Sequence, residues 1–220
     1  MCELVIFDCD GVLVDSEAIS NDVLARMLTR EGLSTTLREA RRDYQGLRLA
    51  DIRGRVEAKL GRPLPPDWLE RYERERAEAF QRGLEPVVGA AEAVRRVKVA
   101  GRKVCVASQG ALAKTQMTLG LTGLRDLFPS HTLFSADDVP RPKPDPALFR
   151  HAAATMNTES SACVVVEDSP SGVIAAVAAE MRAIGYAADS DEEALRNVGA
   201  EIILSLDELP GLLIAGEGPR

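Results

Sequence analysis

Short runs of apolar residues rich in Val and Ile alternate along most of the chain with stretches of helical periodicity. The apolar runs have the length of buried strands, and the helical stretches are long enough to cross from one strand to the next. This alternation is typical of a parallel sheet covered by helices, so we expect a doubly wound α/β fold. The predicted strands are Leu4 to Phe7, Val104 to Ala107, Cys163 to Val166, Ala183 to Ile184, and Ile202 to Leu204.

One segment, from about residue 15 to residue 85, shows helical periodicity and no convincing strand. Four helices fit its apolar pattern, with breaks near Gly32 and at residues 61–66. We therefore expect two domains, a Rossmann-like core of residues 1–14 and 86–220 and an inserted α-helical cap of residues 15–85. Because the insertion leaves the core beside the end of the first strand, the cap is predicted to stand over the ligand-binding crevice of the sheet.

Charge and cysteine content restrict the partners. Lys and Arg number 27 against 34 for Asp and Glu, the net charge is -7 and aromatic residues are 4% of the chain, so nucleic acid is not expected as a partner. The apolar run after Glu3 is too short for a signal peptide or a membrane span, so we expect a cytoplasmic protein with no membrane partner. The cysteines have no metal-binding or CxxC spacing and are predicted to be reduced core thiols: Cys2, Cys9, Cys105 and Cys163.

Two carboxylates follow the first predicted strand. Asp8 and Asp10 stand two residues apart at its carboxyl end, where both side chains can face the crevice. Asp10-Gly11 is also a common tight-turn dipeptide, and a hairpin with the apolar residues that follow would explain it. The pair alone therefore fits a turn as well as a catalytic site.

Three later segments carry groups that complement these carboxylates. Ser108 and Gln109 precede a predicted helix and offer a hydroxyl and backbone N–H groups, as phosphate-binding loops do, although Ser108 could be a plain helix cap. Lys143 stands between two prolines that restrict its backbone, although it could also be an exposed lysine on a rigid loop. Glu167 and Asp168 follow the third predicted strand, where Asp168 or the serine after it could cap the next helix.

Taken in this order, the motifs resemble the haloacid dehalogenase superfamily. The similarity is to the branch with a helical cap, which includes sugar-phosphate phosphatases and β-phosphoglucomutase. It covers nearly the whole chain, and the four motifs together are highly specific. They are DCDGVLVDSE from Asp8 onward, the Ser108 loop, Lys143, and the pair Glu167-Asp168.

The resemblance implies a phosphatase that works in two steps. Asp8 would attack phosphorus to form an aspartyl-phosphate, and Asp10 would protonate the leaving alkoxide and then activate water. It also implies Mg²⁺ as the cofactor, bound by Asp8, the backbone carbonyl of Asp10, and Asp168. Glu167 would support the outer shell of the metal.

Substrate binding is also implied by the resemblance. Ser108, Gln109 and Lys143 would hold phosphate oxygens. Residues 38–62 carry eight basic and four acidic side chains, and among them Arg48 matches a cap loop that contacts substrate in this branch. We therefore expect a small phosphorylated metabolite, such as a sugar phosphate or a phosphogluconate-like acid, while the oligomeric state stays open.

Two departures from the family pattern are visible. Glu180 stands where relatives usually have glycine after a helix, and a left-handed backbone there would cost about 1 kcal/mol. Gln109 follows the motif serine where Asn, Ser or Gly is more familiar. Because its expected role is backbone donation, we expect little effect from its side chain.

Three other functions remain open. A phosphomutase would use the same core, but the β-phosphoglucomutases have Thr after the hinge aspartate and His four residues further on, where this chain has Ser16 and Ser20. Dehalogenation would need neither Asp10 nor a metal. A signalling module phosphorylated on aspartate, like a response-regulator receiver, would be about half this length and would have no helical cap.

Overall fold

The computed structural model describes residues 2–44, 47 and 49–215. The chain divides into two compact units, one formed by residues 1–14 and 86–220 and the other by residues 15–85. Within the described residues, no helix combines the length and the apolar character needed to cross a membrane.

The larger unit is built on a parallel sheet of six strands. They are β1 (Leu4–Phe7), β2 (Lys103–Ser108), β3 (Leu133–Ser135), β4 (Cys163–Glu167), β5 (Arg182–Tyr186) and β6 (Glu201–Ile203). Their order is β3-β2-β1-β4-β5-β6. The strands β2 and β3 are thus added on one side of β1, and the strands from β4 onward are added on its other side. The predicted doubly wound α/β core is thereby confirmed. The sequence predicts five of these strands and misses β3, whose residues Leu-Phe-Ser include neither Val nor Ile.

Ten α-helices occur in the described part of the chain. The smaller unit contains α1 (Glu17–Arg30), α2 (Leu37–Tyr44), α3 (Leu49–Leu60) and α4 (Trp68–Gly83). The larger unit contains α5 (Ala90–Val99), α6 (Leu112–Leu121), α7 (Ala147–Thr155), α8 (Pro170–Ala178), α9 (Glu192–Asn197) and α10 (Leu209–Ala215). The four helices that the sequence predicts between residues 15 and 85 are thus present, whereas α10 is not predicted from the sequence.

Each unit has its own core. In the larger one, β1 and β4 are buried along their whole length, as expected of parallel strands covered on both faces. Fully buried side chains such as Leu4, Ile6 and Val165 each contribute roughly 1.5–3 kcal/mol of burial free energy. In the smaller unit, Trp68 and Tyr72 stack with ring centroids 6.2 Å apart and pack into a cluster that includes side chains of α1 and α3.

Candidate active site

The chain turns sharply after β1 and so presents two carboxylates at the sheet edge. The Asp8 N–H still donates to Val166 O of β4 at 2.9 Å, and the Gly11 N–H donates to Val14 O at 2.9 Å. Gly11 has φ +77°, which favours glycine. The turn at Asp10-Gly11 is therefore present, but the alternative of a hairpin is wrong. Residues 11–13 form a turn, and Val14 makes isolated bridges with Asp10 and Pro86 instead of starting a second strand.

The Lys143 ammonium lies at the centre of this edge. Its Nζ is 2.6 Å from Asp8 Oδ1, 2.6 Å from Glu167 Oε1 and 3.0 Å from Ala107 O. Asp8 directly follows β1, Glu167 is the last residue of β4, and Ala107 lies in β2. Each is one residue beyond the last pairing of β1 with its neighbours. An ammonium group has three protons, so every proton of Lys143 Nζ has one of these three acceptors. The side chain is only 4% exposed, and the alternative of an exposed lysine is wrong.

Two carboxylates, those of Asp8 and Glu167, share this one ammonium. Burial raises the pKa of Asp8 to about 7, because the opposing charge of Lys143 is outweighed by burial together with the neighbouring charges of Glu167 and Asp10. Burial alone would lower the pKa of Lys143, but the carboxylates of Asp8 and Glu167 hold it above its ordinary value. Lys143 thus stays charged, and this edge attracts a proton or a further cation.

Glu167 is fixed from two sides. Besides its bond to Lys143, its Oε2 accepts from the N–H of Ser169 at 3.2 Å and from Ser169 Oγ at 2.9 Å. Ser169 Oγ also accepts from the Gly172 N–H at 3.1 Å, so it is Ser169 that caps α8, not Asp168. A Cβ on Gly172 would come within 1.9 Å of the Glu167 carboxyl, so the first turn of α8 can approach this carboxylate only as glycine.

The loop after β2 contacts the Lys143 segment. Ser108 Oγ is buried and accepts from the Gly110 N–H at 3.1 Å. Because α6 is preceded by Ala111, Ser108 is not its cap. Gln109 Oε1 accepts from the Lys143 N–H at 3.1 Å, and Gln109 Nε2 donates to Lys143 O at 3.4 Å. The side chain of Gln109 therefore clamps the Lys143 backbone, a role that the sequence analysis does not predict.

Asp168 lies against the loop that follows β1. A Cβ on Gly11 would be 2.1 Å from Asp168 Oδ2, so this glycine makes room for the carboxylate beside Asp10. Among the described residues, no group of three or more His, Cys, Asp or Glu side chains is arranged to hold a metal by itself. The expected donors are two carboxylates, Asp8 and Asp168, and the backbone carbonyl of Asp10. This oxygen-only set fits Mg²⁺, which commonly retains several waters.

Lys114, in the first turn of α6, is a residue of this edge that the sequence analysis misses. Its Nζ forms an ion pair with Asp10 Oδ2, and the two side chains are 15% and 21% exposed. The first turn of α6 contains no acidic residue. A lysine at the positive end of a helix directly after a phosphate-type loop is a signal that could have identified it.

All four cysteines are buried and none of them forms a disulfide, which agrees with the prediction of core thiols. Cys9 lies between the two aspartates, with its Sγ 3.7 Å from Thr118 Oγ1. Burial, reinforced by the charge of Asp10, raises the pKa of this thiol above its ordinary value. Cys9 therefore stays protonated and is a poor nucleophile.

In the smaller unit, part of the predicted basic surface is neutralised locally. Asp43 pairs with Arg42 at 2.7 Å and with Lys59 at 3.1 Å, and the hydrogen bonds from these two side chains lower the pKa of Asp43 to about 2. Arg48, the predicted substrate-binding residue of this unit, lies outside the described residues.

Comparison with known proteins identifies the family. The sequence model of the haloacid dehalogenase-like hydrolases matches residues 5–186. The chain is 33% identical over 211 residues to the 6-phosphogluconate phosphatase of Escherichia coli K12, covering 96% of this chain and 94% of that protein. It is 31% identical over 205 residues to hexitol phosphatase B of the same organism, covering 91% and 90%.

A comparison with solved structures supports the same family. A HAD family hydrolase from Deinococcus radiodurans R1, with bound phosphate and sodium, gives a TM-score of 0.82 at 30% identity, covering 98% of this chain and 96% of that chain. The chain belongs to the haloacid dehalogenase-like hydrolases. Both curated relatives are phosphatases, and the predicted enzyme class, a phosphatase of this superfamily, is confirmed.

Proposed function

We propose that this chain is a Mg²⁺-dependent phosphatase that hydrolyses the phosphate ester of a small sugar, sugar acid or sugar alcohol through an aspartyl-phosphate on Asp8. The observation that carries the proposal is the buried Lys143 ammonium, which binds Asp8 and Glu167 at 2.6 Å each. It holds one carboxylate in place at a sheet edge where a second, Asp10, follows two residues later.

In the first step, an Asp8 oxygen attacks phosphorus and the bond from phosphorus to the ester oxygen breaks. Asp10 donates its proton to the leaving alkoxide, which departs as an alcohol. Positioning and electrostatics dominate phosphoryl transfer, and here the Lys143 charge and the N–H groups of the Ser108 loop would supply them.

In the second step, water attacks phosphorus and gives a proton to Asp10 while the bond from Asp8 to phosphorus breaks. Orthophosphate leaves, Asp8 is again a carboxylate, and Asp10 again carries the proton. One carboxylate thus acts as acid in the first half and as base in the second, which lets a single site serve both displacements.

Asp8, the Asp10 carbonyl and Asp168 would hold the metal. When bound, Mg²⁺ would supply positive charge that offsets the phosphate and keeps Asp8 ionised. This matters because the pKa of Asp8 is raised to about 7 by burial, and a protonated carboxyl is not a nucleophile.

The substrate class is proposed from the relatives. The names of both curated relatives refer to six-carbon polyhydroxy compounds, a gluconate and a hexitol. We propose a phosphate ester of this kind. Phosphate release from 6-phosphogluconate, hexitol phosphates, glucose phosphates and phosphoglycolate, each measured with Mg²⁺ and with EDTA, tests both proposals. Activity that survives EDTA would reject the metal, and conversion of one sugar-phosphate isomer into another without phosphate release would reject hydrolysis.

Variants of the two aspartates test the chemistry. Asp8→Asn and Asp10→Asn should each lower kcat at least about 10³-fold, because one loses the nucleophile and the other the proton donor. Asp126→Asn, a change at an exposed carboxylate of the same unit, should leave kcat unchanged. Circular dichroism should show the same fold in all three variants. A fully active Asp8→Asn enzyme would end the proposal.

A further inference from the structure

Lys114 occupies the space between Asp10 and the Ser108 loop. Its ammonium contacts Asp10 Oδ2, and its stem crosses Gly110, where an added Cβ would lie 3.1 Å from Lys114 Cδ and 3.6 Å from Lys114 Nζ. Ser108 Oγ lies 3.5 Å from the same point. The stem of Lys114 therefore lies beside the expected phosphate-binding loop, while its ammonium group binds Asp10.

This lysine is poorly placed for the stability of its own helix. It is the third residue of α6, in a first turn that has no acidic residue. The N-terminus of a helix carries partial positive charge, so a cation there is unfavourable unless an anion faces it. Asp10 is that anion, and at 15% exposure the lysine is not a freely solvated side chain. Its position is explained by Asp10 and not by the helix.

We propose that Lys114 is a positioning residue that holds Asp10 by Oδ2 and directs its proton to Oδ1. The proposal rests on the proposed role of Asp10 as the acid. An ammonium donates hydrogen bonds and cannot accept them, so a proton on the oxygen that faces it would point at another donor. The proton of Asp10 is therefore carried on Oδ1, from which it passes to the leaving alkoxide as the ester bond breaks. Lys114 keeps all of its own protons.

This role predicts a dependence on the leaving group. An alkoxide leaves a sugar phosphate poorly unless it is protonated, whereas 4-nitrophenolate leaves without needing a proton. Loss of Lys114 should therefore harm the hydrolysis of 6-phosphogluconate much more than that of 4-nitrophenyl phosphate. A lysine that only bound phosphate, or only supported the fold, would affect both substrates equally.

The test is kcat/KM with Mg²⁺ on both substrates, since kcat/KM reports the step that transfers the phosphoryl group to the enzyme. Lys114→Met should lower it on 6-phosphogluconate by about 10²-fold, the lower end of general-acid effects, and on 4-nitrophenyl phosphate by less than about fivefold. Lys114→Arg should recover most of the loss. Lys98→Met removes an exposed hydrogen bond of the same unit, from Lys98 Nζ to Leu127 O at 3.0 Å, and should change neither value.

The comparison stays informative if a variant is partly unfolded, because both substrates are measured on the same preparation and the inactive fraction cancels in their ratio. Equal losses on the two substrates for Lys114→Met would overturn the positioning role. The Asp10→Asn variant distinguishes failure of the Lys114 positioning role from failure of the proposed function. If Asp10→Asn is selective and Lys114→Met is not, only the role of Lys114 fails; if neither is selective, Asp10 is not the acid and both proposals fail.

Discussion

Gly172, in the first turn of α8, lies against the Glu167 carboxyl and is therefore a sensitive probe of the active-site edge. An alanine there would place its Cβ 1.9 Å from the Glu167 carboxyl, and ordinary contacts begin near 3.4 Å. Glu167 is 1% exposed and is held by Lys143 at 2.6 Å and by Ser169 at 2.9 and 3.2 Å. The carboxylate can move away from α8 only by disturbing the ammonium that also binds Asp8.

The destabilisation that Gly172→Ala should cause can be estimated from these contacts. Overpacking a well-packed site costs about 1–3 kcal/mol, and weakening one hydrogen bond to a charged group costs about 1.5–3 kcal/mol. Alanine returns about 1 kcal/mol through its higher helix propensity. The net destabilisation of Gly172→Ala is therefore about 1.5–5 kcal/mol, which for a chain of this size lowers Tm by about 3–20 °C. Displacement of Lys143 by about 1 Å should also lower kcat/KM about 10²-fold.

Calorimetry and steady-state kinetics measure both effects. Gly54→Ala is the matched control, because within the described residues a Cβ on Gly54, inside α3, meets no neighbouring atom within 4 Å. That change should raise stability by about 0.5–1 kcal/mol. If Gly172→Ala keeps the Tm and kcat/KM of the unchanged protein, Glu167 does not lie against α8 and the chain of contacts from Gly172 to Asp8 is refuted.

Two further predictions concern strain and protonation. Glu180→Gly should raise the free energy of unfolding by about 0.5–1 kcal/mol, because Glu180 has φ 63°; Asn157→Gly, at φ 50°, should gain less, since Asn tolerates this region better. Chemical denaturation measures both gains, and equal gains for the two variants would contradict this expectation. Burial raises the pKa of Asp8 to about 7, so at the proposed metal site protons should compete with Mg²⁺ at lower pH. The affinity of the protein for Mg²⁺ should then fall about tenfold per unit below pH 7. Titration calorimetry at pH 6 and 8 checks this; a constant affinity would contradict it.

Much of the fold follows from the sequence because its signals are local. Strand runs and helical periodicity predict five of the six strands and nine of the ten α-helices in the described part of the chain. The right-handed connection rule then leaves few arrangements of a parallel sheet. The left-handed backbone of Glu180 is also a local effect. Its N–H donates to Val177 O and the next N–H to Ala176 O, the bonds that close a helix end whatever lies around it.

The site is predictable to the extent that topology alone brings strand ends together. Asp8 and Glu167 are each one residue beyond a paired position of adjacent parallel strands, so recognising the strands is enough to place their backbones side by side. The Lys143 loop could be assigned to the same edge only by the resemblance, since no pairing register fixes it. Only the structure shows that the Lys143 side chain is buried and is not a solvated lysine.

What the sequence could not predict are contacts made by long side chains between segments far apart in the chain. Lys114 and Asp10 are 104 residues apart, and Gln109 and Lys143 are 34 apart. A lysine or glutamine stem can reach in many directions at little energetic difference, so neither local propensity nor strand register determines its partner. The electrostatic clue was nevertheless present in the sequence, because a lysine in the first turn of a helix with no acidic neighbour needs an anion from elsewhere. A first-turn cation that follows a phosphate-type loop is therefore worth pairing with every carboxylate that the topology brings to that edge.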